Sequence, residues 1–119
     1  MRWRSRALQD GKFRYNGKVG RDLTLEQGYE AARISGINAL AALKSAIGNL
    51  DKVQQIVKVV GYVNSTGDFT KHPQVVDGAS ELSAQVFGEK GIAARCAIGT
   101  TGLPEDSPVK IDMIVKIKE

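Results

Sequence analysis

One histidine and one cysteine limit the chemistry open to this chain of 119 residues. His72 alone cannot build a histidine-rich metal site, and a Ser–His–Asp triad would have to use it. Cys96 alone rules out an internal disulfide and a multi-cysteine zinc site. As a nucleophile it would need a base beside it, and His72 is the single imidazole. As a small buried thiol it needs nothing further. Arg95 directly precedes it, at the start of a short strand that leads to the Gly102 turn. A guanidinium offers a planar fork of donors that stays charged at any working pH, which suits it to gripping a carboxylate bidentately. The same side chain serves equally in a surface or interface ion pair. Asp112 sits in an alternating run near the C-terminus. A carboxylate there can orient a water and take its proton, or can pair with Lys58 or Lys110 across a strand face. His72, beside Pro73, reads most simply as a residue at a helix start.

These groups need a scaffold, and its centre is the stretch Thr24–Gly48. At 100° per residue, Leu25, Tyr29, Ala32, Gly36, Ala39, Leu40, Leu43, Ala46 and Ile47 fall on one side, with Glu26, Glu30, Arg33, Asn38 and Lys44 outside it. Thr24-x-x-Gln27 is a capping box, and Gly48 suits the residue after a helix end. Burying Leu25, Leu40, Leu43 and Ile47 is worth roughly 6–12 kcal/mol at about 1.5–3 each. The small residues of the stripe predict close approach to a flat surface, as when a helix lies on a sheet.

Before that helix, Asp10-Gly11 and Asn16-Gly17 signal turns around a short extended piece with Phe13 and Tyr15. After it, Val53–Val63 reads as a strand. Strict alternation puts Val53, Val57, Val59, Gly61 and Val63 on the helix side, and Gln54, Ile56, Lys58, Val60 and Tyr62 on the other. A loop over 64–71 leads to a second helix opened by Pro73. Val75, Ala79, Leu82 and Val86 lie on one of its faces, and Gly88 stops it. Arg95–Thr100 and Val109–Ile117 are the remaining strands, the last with Val109, Ile111, Met113, Val115 and Ile117 on one side. The order predicts a single α+β domain over 1–119, with two helices on one face of a mixed sheet. The opposite sheet face mixes Ile56, Val60, Tyr62 and Ile114 with Lys58, Lys110 and Asp112. That is too apolar for a solvated face and too charged for a core, and it predicts a subunit interface. Tyr62 and Phe87 read as interface or core aromatics.

At 42% apolar and 25% charged residues, the composition is that of a globular domain. No apolar run reaches the ~18 residues of a membrane span, and no signal peptide opens the chain, so a reducing cytoplasmic location is expected. The net charge of +4 is uneven. Residues 1–21 hold seven bases, among them Arg2, Arg4 and Arg6, against one acid, whereas the rest holds ten bases and twelve acids. Residues 1–10 read as a basic arm, either solvated or in weak contact with nucleic acid.

Several segments together resemble the Rid family, the reactive-intermediate imine deaminases also known as endoribonuclease L-PSP proteins. They are Gly17–Arg33, Asn38–Lys44, Val57–Asn64, Asp77–Ser80, Val86–Glu89, Ala94–Gly99 and Val109–Asp112. The resemblance runs in order over about 11–117. It implies a chorismate-mutase-like fold and a cytoplasmic homotrimer with ligand clefts between subunits, packed through Ile56, Val60, Tyr62 and Ile114. It also implies hydrolysis of 2-imino acids to 2-oxo acids and ammonia without a metal or cofactor. Arg95 would hold the substrate carboxylate, and Asp112 would hold the water where the family usually has a glutamate. Cys96, the Ala97 backbone and Ser80 would line the site, Ser80 standing where some deaminases have asparagine. The opening Met1–Leu8 does not resemble the family's first strand, which leaves open a different ligand, little activity, or a start upstream of Met1. Two rival expectations are RNA cleavage, which the basic arm favours, and a non-catalytic trimer that binds small molecules.

Overall fold

The computed structural model describes residues 2–6, 8–9, 12–13 and 15–118, the first three stretches as backbone only. Its strands and helices are β1 (Arg2–Arg6), β2 (Leu8–Gln9), β3 (Lys12–Phe13), α1 (Leu25–Ile47), β4 (Val53–Asn64), α2 (His72–Phe87), β5 (Ala94–Thr100) and β6 (Val109–Ile117). The main sheet has the order β1-β6-β4-β5. Both neighbours of β6 are antiparallel to it, while β4 and β5 are parallel. Parallel neighbours need a crossover, and α2 supplies it. The two helices cover one face. Among the described residues no helix is long and apolar enough to cross a membrane.

The α1 start is the expected capping box. The Thr24 hydroxyl accepts from the Gln27 N–H at 3.1 Å, and the Gln27 amide oxygen accepts from the Thr24 N–H at 2.9 Å. Gly48 closes the helix at φ 88°. Ala32, Gly36, Ala39, Leu40 and Leu43 are buried as the stripe predicts, but Ala46 is exposed. Gly28, Ala31, Ile34 and Ser35 are buried too, because α1 is covered on a second side. Its glycines and alanines admit α2 rather than the sheet. A Cβ on Gly36 would meet Leu82 at 3.0 Å, and one on Gly78 of α2 would lie 2.1 Å from the Tyr29 carbonyl oxygen. In α2, Val75, Ala79 and Leu82 are buried whereas Val86 is exposed.

Strand β4 departs from strict alternation. Its pairing with β6 slips between Val53 and Gln55 and again between Ile56 and Lys58, leaving Gln54 and Val57 without register partners. Each extra residue reverses the side to which the next residue points. Ile56 is therefore fully buried against the helices and Val57 is 44% exposed, the reverse of the expected pair. The core row is Val53, Ile56, Val59, Gly61 and Val63. From Lys58 onward the expected faces hold. Val60 and Tyr62 are half-buried and Ile114 is exposed on the uncovered side.

The basic opening is also corrected. Arg2–Arg6 forms a strand paired with β6 rather than a free arm, with Arg4 in register with Asp112. Arg2, Arg4 and Arg6 alternate with Trp3 and Ser5, a two-residue rhythm without the apolar face that marks a strand in sequence. The short extended piece before Asn16 is β3, which pairs with β2. The Asp10-Gly11 turn falls outside the described residues.

Candidate functional site

Strand β5 runs along the sheet edge, and α2 crosses it in the opposite sense. His72 packs over Gly99, and Ser80 and Asp77 reach Arg95. Arg95 is in register with Val59, so it lies on the helix-covered side. Its Nη1 donates to Asp77 Oδ1 and to Ser80 Oγ, the latter at 3.4 Å. Those bonds use one nitrogen, which leaves Nε and Nη2 as a free fork. The Arg95 side chain is 28% exposed, so its pair with Asp77 is worth only about 0–1 kcal/mol. Beside it opens a cleft of about 290 Å³ lined by Val59, Ser80, Glu81, Ala84, Ile92 and Arg95, among others. Apolar walls with a guanidinium and a carboxylate at the rim suit a small ligand with one anionic end.

Glu81 is a group that the sequence analysis missed. It accepts a hydrogen bond from the Tyr29 hydroxyl across the two helices. The signal was present, since Asp77, Ser80, Glu81 and Ala84 share a helical face beside the apolar one. The bond from Tyr29 to Glu81, aided by desolvation, raises the phenol above its ordinary value of 10.0. A raised acid contributes stability below its unfolded value and loses it as pH rises through the folded value. The tyrosinate absorbance of the folded protein is therefore expected to show one late-titrating phenol. That late step should vanish in Tyr29→Phe and move earlier in Glu81→Gln. Identical titrations in wild type and Glu81→Gln would contradict the assignment.

Of the expected site residues, the structure brings Arg95 and Ser80 together, with Ala97 half-buried on the same side of β5. It does not bring Asp112 or Cys96 to them. Asp112 lies on β6, separated from β5 by β4, and borders a hollow of about 250 Å³ with Lys58, Val60, Tyr62 and Ile114 on the uncovered face. Cys96 is in register with Val60, on that same face, and is exposed rather than a buried thiol. Alternation along each strand forces this result. Arg95 and Cys96 are successive, and Val60, which pairs with both Asp112 and Cys96, faces away from Val59. Asp112 is nonetheless only 4% exposed. Among the described residues, no group of three or more His, Cys, Asp or Glu side chains is placed to hold a metal ion.

Residues 4–116 match the YjgF/chorismate-mutase-like family, described as putative endoribonuclease. The chain belongs to this family. Protein TCP17 of Trypanosoma cruzi is 39% identical over 102 residues, 85% of this chain and 64% of that protein. The chain thus spans somewhat less than two thirds of that relative. Among solved structures, protein Atu1372 of Agrobacterium tumefaciens, of unknown function, superposes with a TM-score of 0.95 at 38% identity. That match covers 97% of this chain and 73% of the other. A protein of Shewanella oneidensis carrying the same endoribonuclease description gives a TM-score of 0.93 at 32% identity, over 96% and 76%. The Rid-type resemblance and the α+β fold read from the sequence are both confirmed.

Proposed function

We propose that this family member hydrolyses 2-imino acids to 2-oxo acids and ammonia, with the substrate carboxylate on Arg95. The observation that carries this reading is the free Nε/Nη2 fork of Arg95 at the rim of the cleft. Asp77 and Ser80 hold Nη1, so the guanidinium plane is set before a ligand arrives, which lowers the ordering cost of binding. Water adds to the imine carbon and gives up its protons to nitrogen, and the carbon–nitrogen bond then breaks to release ammonia. Such a reaction needs a group to take the proton of water as the new bond forms. Within one protomer the carboxylate available at the cleft is Glu81, whose Oε1 is left when Tyr29 occupies Oε2. Asp112, on the other face, takes no part in a single-protomer site.

The test measures ammonia released from freshly generated 2-imino acids by wild type, Glu81→Gln and Asp112→Asn, with RNA cleavage assayed on the same preparations. Turnover lost in Glu81→Gln and kept in Asp112→Asn supports the single-protomer site. The reverse pattern would return the water to Asp112 and require a site shared between copies. Cleaved RNA without ammonia release would favour the family's endoribonuclease description instead.

The uncovered sheet face is proposed to join copies of the chain into a closed homotrimer through Val60, Tyr62 and Ile114. Ile56 leaves that set because it is buried under the helices. Val60→Asp is expected to yield folded monomers by sedimentation, whereas Ile56→Asp should unfold the protein outright. A wild-type monomer at micromolar concentration would refute the assembly.

A further inference from the structure

At the far end of β5 lies a second cavity, of about 280 Å³, lined by Ser65, Thr66, Gly67, Phe69, His72, Gly99, Thr100 and Thr101. Five residues of strand separate Arg95 from Thr100, roughly 16 Å at about 3.3 Å each, so this cavity is separate from the cleft described above. In it Ser65 Oγ and His72 Nε2 lie 3.1 Å apart. We propose that Ser65 and His72 form a nucleophile–base pair that accepts a short acyl group from a small ester.

Three observations carry the proposal. The first is the contact itself, which has the separation that proton transfer from a serine to an imidazole requires. With the ring proton on Nδ1, Nε2 accepts the Ser65 hydroxyl proton.

The second is that both partners are held in place. Ser65 is 7% exposed, its N–H bonds the Thr100 carbonyl at 3.2 Å, and it bridges to Val19. Neighbouring Asn64 accepts from Lys18 Nζ at 2.8 Å and donates to the Ser107 carbonyl at 3.2 Å. His72 sits in the first turn of α2, with Phe69 edge-on to its ring at 5.3 Å. Beneath it, β5 carries glycine where any side chain would collide, since a Cβ on Gly99 would lie 2.5 Å from Nε2. A base fixed by its surroundings is what an activated serine needs.

The third is the cavity's lining. Thr66, Thr100 and Thr101 line it beside the pair, and a cavity of about 280 Å³ suits a short acyl group.

The reaction balances without a co-reactant other than water. Oγ bonds to the ester carbonyl carbon as its proton passes to Nε2. The carbon–oxygen bond to the alcohol then breaks, and the alcohol leaves with that proton. Water repeats the sequence on the acyl-serine, releasing the acid and restoring the Ser65 hydroxyl.

Phenylmethylsulfonyl fluoride and p-nitrophenyl acetate are suitable probes, used on the full chain with the modified peptide mapped by mass spectrometry. The expected result is one sulfonyl group on Ser65 and a burst of p-nitrophenol matching the protein concentration. His72→Gln should slow labelling by about 10²-fold or more. Gly99→Ala should do the same, because the added methyl displaces the His72 ring although both reacting residues remain in the chain. A wild-type protein that stays unlabelled, carries the label elsewhere, or labels equally fast in folded His72→Gln or Gly99→Ala would overturn the proposal and leave a structural hydrogen bond.

Discussion

Replacing Arg95 with lysine is expected to leave fold and assembly intact while lowering kcat/KM for 2-imino acids by about a hundredfold. Lysine keeps the positive charge but offers a point donor in place of a planar fork. Losing the paired geometry of a charge-assisted contact costs about 3 kcal/mol, the upper part of the range for bonds to charged groups. That sum converts to about two decades in rate. Arg95→Ala should lose more and still fold, because the exposed pair with Asp77 contributes so little to stability. Thermal melts of both variants should stay within a few degrees of wild type, with ammonia release measured alongside. Wild-type turnover in the lysine variant would show that Arg95 only ties β5 to α2.

A large stability effect is expected from one methyl group at Gly78. The added carbon would sit 2.1 Å from the Tyr29 carbonyl oxygen, a backbone atom that cannot swing aside. Relief requires α1 and α2 to separate, which disturbs Ala32, Gly36 and Ala79 together. Overpacking of a well-filled core costs about 1–3 kcal/mol, and a backbone clash belongs at or above the top of that range. Gly78→Ala is therefore expected to lower Tm by on the order of 10 °C. Gly36→Ala is the control, since its methyl crowds the end of the Leu82 side chain at 3.0 Å, meets Ala79 at an ordinary 3.5 Å, and should cost far less. Equal melting temperatures for the two variants would show that the helices are not locked at Gly78.

The parts of this fold that were legible in the sequence are those governed by a single local rule. The Thr24/Gln27 box, Gly48, Pro73 and the alternation of Val109–Ile117 each announce themselves within a few residues. The misreadings needed information from a partner element. Nothing near Val57 marks a slip in register, because the slip exists only relative to β6. Arg2–Arg6 lacks an apolar period and becomes a strand because β6 offers it a free edge. In the candidate site, Arg95 and Ser80 were found through their resemblance to family positions. Asp112 and Cys96 were grouped with them although alternation places them on the reverse side. Glu81 stayed hidden because its role depends on Tyr29, 52 residues away.

The slip at Val57 sets the segment of β4 that carries Ile56 in opposite phase to the segment that follows it. Residues before it and after it both deliver their apolar side chains to the helices, although no single two-residue rhythm fits both. The length of this strand is thus part of its information. Removing Val57 would change no charge and little volume, yet every residue on one side of the deletion would turn over. Either Ile56 or the set Val59, Gly61 and Val63 would be sent to the uncovered face. Sequence comparisons that score substitutions position by position would rate Val57 as a dispensable exposed valine. An insertion–deletion scan would find it among the least removable residues of the sheet.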